Sequence, residues 1–237
     1  MRAREQMVRL VATGLGRRGL EVRRHAATRR QKMLSRHDVD LVLDVGAADG
    51  GYGATLRSFG YTGTIVSFEP LREVFARLAT AIETDPAWSA RNVALGAEPG
   101  ETTINVASNS TSSSILPMLG PHLEAAPHVT YVGQESITVS TLDAEAADVL
   151  AAHERPFLKV DTQGFEREVI AGGATTLDQC VGVQLELSFV PLYEGGMLVD
   201  EAVSWAYDHG FHLVGIEQGY AAPSGEILQV DGVFVRD

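Results

Sequence analysis

From residue 40 onward, short apolar runs alternate with segments whose apolar residues recur at helical spacing. Runs over residues 41–45 and 64–68 predict two strands, joined by a glycine-rich turn and a helix over about residues 50–59. A short third strand is predicted from Trp88 to Ala94. Between the last two strands a helix opens after Pro70, and its apolar face comprises Leu71, Val74, Phe75, Leu78 and Ile82. This order indicates a parallel sheet covered by helices.

Residues 101–140 interrupt the alternation of strands and helices. Residues 102–106 and 136–139 alternate between apolar and polar positions, so we expect them to pair as surface strands. Between them lies a polar loop, residues 108–114, composed almost entirely of serine, threonine and asparagine. We interpret this stretch as an insertion over a ligand cleft, and a flexible low-complexity loop is the alternative.

The α/β pattern then resumes and runs to the end of the chain. It predicts helices over residues 165–171 and 200–209, and strands over residues 157–161, 181–187, 211–216 and 230–235. The last connection is too short for a crossover helix, so the final strand must be antiparallel. The fold class is therefore α/β, a Rossmann-like seven-stranded sheet that is mostly parallel. Such an ending is typical of class I S-adenosylmethionine (SAM) methyltransferases.

The turn after the first strand suggests a nucleotide site. Gly46 can adopt dihedral angles that a side chain would block, and Gly50 leaves room for a ligand near the main chain. Glu69 ends the second strand, where a carboxylate accepts hydrogen bonds from both ribose hydroxyls. The turn lacks the second glycine of a dinucleotide fingerprint, and Asp44 and Asp49 would repel a pyrophosphate. These features favour SAM, which is cationic and carries no phosphate, over NAD.

Five motifs in order resemble the FkbM-type methyltransferase family over about residues 41–236. They are the Asp44-Val45-Gly46 turn with Gly50, the Glu69-Pro70 strand end, the run from Asn92 to Gly96, the serines 112–114, and the segment 158–166. The resemblance implies SAM-dependent O-methylation, commonly of sugar or polyketide hydroxyls. Two positions depart from the family: Ala48 stands where Asn is frequent, and Gln163 where Glu is frequent.

Ligands of open α/β sheets bind beyond the carboxyl ends of the strands, which assigns each candidate residue a place. The expected cofactor site comprises Asp44, Gly46, Ala47, Gly50, Glu69, Pro70, Asn92, Val93 and Ala94. The expected acceptor site comprises Ser112, Ser113, Gln163 and Tyr193. Asp161 and Glu186 are the candidates for the general base or for acceptor binding. An N-cap role for Asp161 and a salt bridge for Glu186 are the alternatives.

A divalent ion is a further hypothesis, because Asp161 and Glu186 offer the oxygen ligands that Mg²⁺ prefers. Two rival functions also stay open on the sequence. One is an NAD-linked oxidoreductase. The other is a nucleotide-binding module without catalysis that acts through its N-terminal arm.

Charge is divided unevenly along the 237 residues. Residues 1–36 hold eleven of the 19 basic residues against two acidic ones, a net charge of +9 within a total of −12. We expect residues 1–40 to form a basic helical arm that docks on the acidic body (residues 41–237) or on a second subunit as a homodimer. An acidic body disfavours a nucleic-acid substrate, which leaves a small molecule or oligosaccharide as the acceptor.

Localisation follows from what the sequence lacks. No apolar run approaches the length of a membrane span, and the N-terminus has no hydrophobic signal region. The single Cys180 fits a reducing compartment. We therefore expect a cytoplasmic protein without a membrane span.

Overall fold

A computed structural model of the protein describes residues 25–236 together with Thr13, Leu15 and Arg17. Its strands within residues 25–236 are β1 (Leu41–Val45), β2 (Thr64–Phe68), β3 (Trp88–Arg91), β4 (Ala94–Leu95), β5 (Gly100–Ala107), β6 (Tyr131–Ser140), β7 (Pro156–Val160), β8 (Gly182–Ser188), β9 (His212–Gln218) and β10 (Gln229–Val235). The helices of the same range are α1 (Ala26–Arg36), α2 (Gly51–Ser58), α3 (Arg72–Ile82), α4 (Gly120–Ala125), α5 (Leu142–Leu150), α6 (Glu166–Ala171), α7 (Ala174–Gln179) and α8 (Val199–Asp208).

The main sheet has seven strands in the order β3-β2-β1-β7-β8-β10-β9. Strands β3, β2, β1, β7 and β8 are parallel, and β10 is antiparallel to both of its neighbours. The predicted fold class is confirmed, including the antiparallel last strand. Because β1 lies between β2 and β7, the turns that follow these three strands meet at one edge of the sheet.

A second sheet of three strands, in the order β4-β6-β5, stands beside this edge. The predicted pairing is confirmed, since β5 and β6 are antiparallel with Thr102 opposite Ile137. The third strand was predicted too long: β3 ends at Arg91, and Ala94 and Leu95 belong to the small sheet. The Asn92 side chain accounts for the break, because its amide nitrogen donates to the carbonyls of Glu69 and Pro70, 2.9 Å each.

The described part of the basic arm, α1, packs on the acidic body. Its Ala27, Arg30 and Leu34 are buried. Arg30 forms a buried ion pair with Glu217 of β9, and its guanidinium lies 4.5 Å from the centre of the Tyr52 ring. The rest of the predicted arm lies outside the described residues, apart from the three isolated positions. Within the described part of the chain, no helix is long and apolar enough to cross a membrane.

Candidate active site

A cavity that opens to solvent lies where β1, β2 and β7 end. The small sheet and the polar loop after β5 form its outer side through Ile104, Ser110, Thr111 and Ser113. Glu69 and Asp161 are the two charged side chains among the described residues that line it. The segment predicted as an insertion therefore contributes directly to this cavity.

Gly46 brings the β1 turn against the end of β7. Its φ angle is +72°, and a Cβ atom added there would lie 1.8 Å from the carbonyl oxygen of Asp161. Only glycine permits this approach, because any side chain would overlap the neighbouring backbone. Gly46 also lines the cavity.

The amides of the β1 turn already have partners within the protein. The N–H groups of Gly46 and Ala47 both donate to the carbonyl of Phe68 at 3.1 Å, and Gly50 donates to Ala47 at 2.9 Å. The N–H of Ala48 donates to Glu69 Oε2 at 3.0 Å. These four amides are therefore not available to a phosphate group.

Glu69 is the most firmly held acid of the cavity. Its Oε2 accepts from the amide of Ala48, and its Oε1 accepts from the amide of Leu71 at 2.9 Å. Burial raises the pKa of Glu69 to about 7, while these two hydrogen bonds oppose the rise. Each oxygen retains a second lone pair, so the carboxylate can accept two further hydrogen bonds from a ligand.

Some of the other predicted cofactor residues line the cavity, and the rest do not. Pro70, Val93 and Ala94 line the cavity, and with Leu71 they form an apolar surface beside Glu69. Ala47, Gly50 and Asn92 do not line it, and Asn92 acts through the backbone hydrogen bonds described above. Gly50 has a φ angle of +89°, which other residues rarely adopt, and a Cβ there would lie 2.8 Å from the Cδ1 atom of Leu78.

Asp44 is also absent from the cavity surface. Its carboxylate is fully buried, forms an ion pair with Lys159 at 3.1 Å, and accepts a hydrogen bond from Ser67. Lys159 in turn donates to the carbonyls of Val45 and Gly46. Burial lowers the pKa of Lys159, but the charges of Asp44 and Asp161 more than reverse this effect. Asp44 therefore stabilises the β1 turn indirectly, because it holds the ammonium group of Lys159 that donates to the backbone of the turn.

The predicted acceptor and catalytic residues meet in one hydrogen-bond network. The Gln163 side-chain nitrogen donates to Asp161 Oδ1 at 2.8 Å and to Glu186 Oε2 at 3.0 Å. The Tyr193 hydroxyl donates to the Gln163 side-chain oxygen at 2.7 Å. Asp161 and Gln163 line the cavity, whereas Glu186 and Tyr193 are buried behind them. Tyr193 was expected in the acceptor site, and the structure places it in the interior.

Burial and the neighbouring charges raise the pKa of Glu186 well above its ordinary value, chiefly through burial and then through Asp161, Glu166 and Asp231. Burial also raises the pKa of Glu166, which accepts hydrogen bonds from the amides of Thr162 and Gly164. Burial and the nearby acids thus favour the protonated form of Glu186 over its charged form.

In the polar loop, Ser113 lines the cavity but Ser112 does not. The Ser112 hydroxyl instead accepts a hydrogen bond from Asn109. Ser110 and Thr111, which the sequence argument did not single out, take the cavity positions. Thr162 and Phe165 lie in the motif over residues 158–166 and also line the cavity, although neither was among the candidate site residues.

The metal hypothesis finds no support in the structure. Across the described residues, no group of three or more His, Cys, Asp or Glu side chains is arranged to hold a metal ion. The side-chain amide of Gln163 lies between Asp161 and Glu186 and donates a hydrogen bond to each carboxylate. An N–H donor therefore occupies the position between the two acids that a metal ion would need.

Comparison with solved structures shows which fold this is. Magnesium protoporphyrin IX methyltransferase from Synechocystis PCC 6803, solved with bound SAM, matches with a TM-score of 0.50 and 10% identity, over 90% of this chain and 77% of that one. Fibrillarin from Aeropyrum pernix, in complex with SAM, matches with a TM-score of 0.43 and 12% identity, over 83% of this chain and 66% of that one. The fold is that of class I SAM methyltransferases.

Sequence comparison identifies the family. No curated protein sequence matches the chain. The model of the methyltransferase FkbM domain matches residues 44–213, which span the β1 turn, Glu69 and the network around Asp161. The protein belongs to the FkbM methyltransferase family.

Proposed function

We propose that this protein transfers the methyl group of SAM to a hydroxyl group of a small acceptor, a sugar or glycoside. The observation that carries the choice of cofactor is the β1 turn, in which the amides of Gly46, Ala47, Ala48 and Gly50 are all bonded within the protein. A pyrophosphate requires such amides as donors, and a nucleoside without phosphate does not.

The side chains of the cavity fit SAM in two further respects. Its ribose hydroxyls are donors, and Glu69 presents a fixed pair of acceptor oxygens beside the apolar surface of Leu71, Val93 and Ala94. No basic side chain is among the described residues of the cavity lining. The lining is therefore suited to a cationic ligand and unfavourable for an anionic one.

SAM supplies an electrophilic methyl group, and the protein must align the acceptor oxygen and remove its proton. Alignment of two reactants can lower a barrier by about 7–11 kcal/mol. Asp161 is placed to accept the proton, because it lines the cavity and its side chain is 34% exposed. A general base contributes roughly 10²–10⁴-fold. Glu186, buried behind Gln163, holds that amide rather than touching the acceptor.

The hydroxyls of Ser110, Thr111 and Ser113 support the choice of a polar acceptor, since they line the cavity on the side of the small sheet. Hydroxyl side chains both donate and accept hydrogen bonds, as sugar hydroxyls do. A nucleic acid is disfavoured as acceptor, because its phosphates would face Glu69 and Asp161 without a cation among the described lining residues.

Mass spectrometry of a metabolite and glycan extract, incubated with the protein and SAM carrying a deuterated methyl group, tests this proposal. We expect a sugar or glycoside that gains the labelled methyl group on oxygen. The Glu69→Ala variant should give little product, and Asp178→Asn, which changes an exposed acid outside the cavity lining, should match the native protein. Labelled RNA or protein in place of a small molecule would contradict the acceptor class.

A further inference from the structure

The two carboxylates of the cavity stand on opposite sides of the β1 turn. Glu69 directly follows β2, and Asp161 directly follows β7, with β1 between these strands. A nucleoside whose ribose is held at Glu69 therefore directs its other end across Gly46 towards Asp161. The apolar residues Leu71, Val93 and Ala94 lie on the Glu69 side, which leaves Asp161 as the charged group at the far end.

Asp161 is held in place without being withdrawn from the cavity. Its Oδ1 accepts from Gln163 at 2.8 Å, and its Oδ2 lies 3.7 Å from the ammonium of Lys159. The charge of Lys159 is shared with Asp44 at the shorter distance of 3.1 Å. Two carboxylates and one ammonium leave a net negative charge in this group, and only Asp161 exposes it to the cavity.

The surroundings do not cancel this charge. Glu166 and Glu186 are themselves acids, and burial raises the pKa of both, so neither supplies a positive charge that would compensate Asp161. Among the described residues of the lining there is no basic side chain. A positive charge on the ligand is therefore the natural counterpart of Asp161.

We propose that Asp161 recognises the positive charge of the methyl donor, so that the cavity holds SAM more tightly than the demethylated product, S-adenosylhomocysteine. The inference rests on the proposed function. The two molecules differ only by the methyl group and its positive charge, and both carry the same amino and carboxylate groups. A difference between their affinities therefore reports the methyl group and its positive charge together, and the part due to the charge is the part that Asp161 and salt should change.

This preference would promote release of the product. During transfer the oxygen–carbon bond forms, the electron pair of the carbon–sulfur bond stays on sulfur, and the acceptor proton passes to Asp161. The positive charge on sulfur and the negative charge on Asp161 are lost together. The attraction that held the donor is then absent from the product complex, and the exposed part of Asp161 returns the proton to solvent.

Calorimetric titration of the full-length protein with SAM and with S-adenosylhomocysteine tests the inference. We expect the native protein to bind SAM about tenfold more tightly, and Asp161→Asn to lose that preference by weakening SAM alone. Asp178→Asn removes a charge of the same kind outside the cavity and should keep the preference. Raising the salt concentration should reduce the preference of the native protein, a readout that does not depend on any variant folding.

The outcomes separate the two proposals. Equal affinities in the native protein, a preference that does not change with salt, or an equal loss of both affinities in Asp161→Asn would overturn the role of Asp161 and leave the proposed function intact. Failure of the native protein to bind either molecule would overturn both proposals.

Discussion

At the scale of single residues, position along the strand decides which acids reach the cavity. Glu69 and Asp161 each follow the last residue of a strand and line the cavity. Asp44 and Glu186 lie within β1 and β8, and the sheet and its covering helices bury them. The sequence identified all four acids as strand-end candidates, because their local patterns are alike. Exact strand limits would have separated them, but those limits depend on pairing with distant strands.

Glu69 should make cofactor affinity depend on pH. Its ionised form accepts the ribose hydroxyls, so affinity should rise as the pH rises through its pKa of about 7. Between about pH 6 and pH 8 we expect roughly a tenfold gain in affinity for S-adenosylhomocysteine, measured by calorimetry. Glu69→Gln cannot ionise, so it should bind weakly with a much flatter profile. An identical slope in this variant would assign the titration to another group.

Gly46 should tolerate no side chain. Gly46→Ala places a Cβ against the carbonyl of Asp161 and forces alanine to adopt a positive φ, so we expect a loss of at least about 3 kcal/mol of unfolding free energy. Gly60→Ala is the matched control, since Gly60 also has a positive φ but has no atom within 4 Å of an added Cβ. It should cost about 1 kcal/mol in the same urea titration. Equal losses would mean that strain alone explains Gly46.

At the scale of elements, α1 is joined to the sheet by the buried pair of Arg30 and Glu217. Glu217 stands opposite Asp231 in the register of β9 and β10, and Asp231 stands opposite Glu186. Arg30 therefore compensates an acid row that the strand pairing creates. The sequence predicted that a basic helix docks on an acidic body, but which charges pair could not be derived, because 187 residues separate Arg30 from Glu217.

Removing Arg30 should be costly unless Glu217 is neutralised as well. Arg30→Met leaves a buried carboxylate without its partner, and we expect a loss of about 3–5 kcal/mol in chemical denaturation. The double variant Arg30→Met with Glu217→Gln should recover most of this loss, because no unpaired charge remains. A single variant as stable as the native protein would show that the pair does not anchor α1.

At the scale of the whole molecule, the local pattern of apolar and polar residues was sufficient to predict the strands of the main sheet. The limits of β1 and β2 agree with the sequence pattern. An apolar run of five residues between turns is too short for a helix, so it predicts a buried strand. The helices α5 and α7 and the short β4 were not predicted, since their form depends on packing against the rest of the protein. The same dependence explains why Tyr193, which was expected in the acceptor site, lies in the interior.

The cavity itself joins distant parts of the chain, from Gly46 to Phe165. Its chemistry could be predicted where a single strand end carries it, as at Glu69. For the polar loop, the sequence predicts that the segment lies over the cavity but not which of its residues line it. Which of its hydroxyls face the cavity depends on hydrogen bonds inside the loop, such as the one between Asn109 and Ser112.

The most direct test of the central claim is a calorimetric titration of the native protein with SAM and, separately, with NADH. The bonded amides of the β1 turn and the carboxylate of Glu69 predict saturable binding of SAM and no measurable binding of NADH. Glu69→Ala should lose most of the SAM affinity. Tight binding of NADH without binding of SAM would contradict the account.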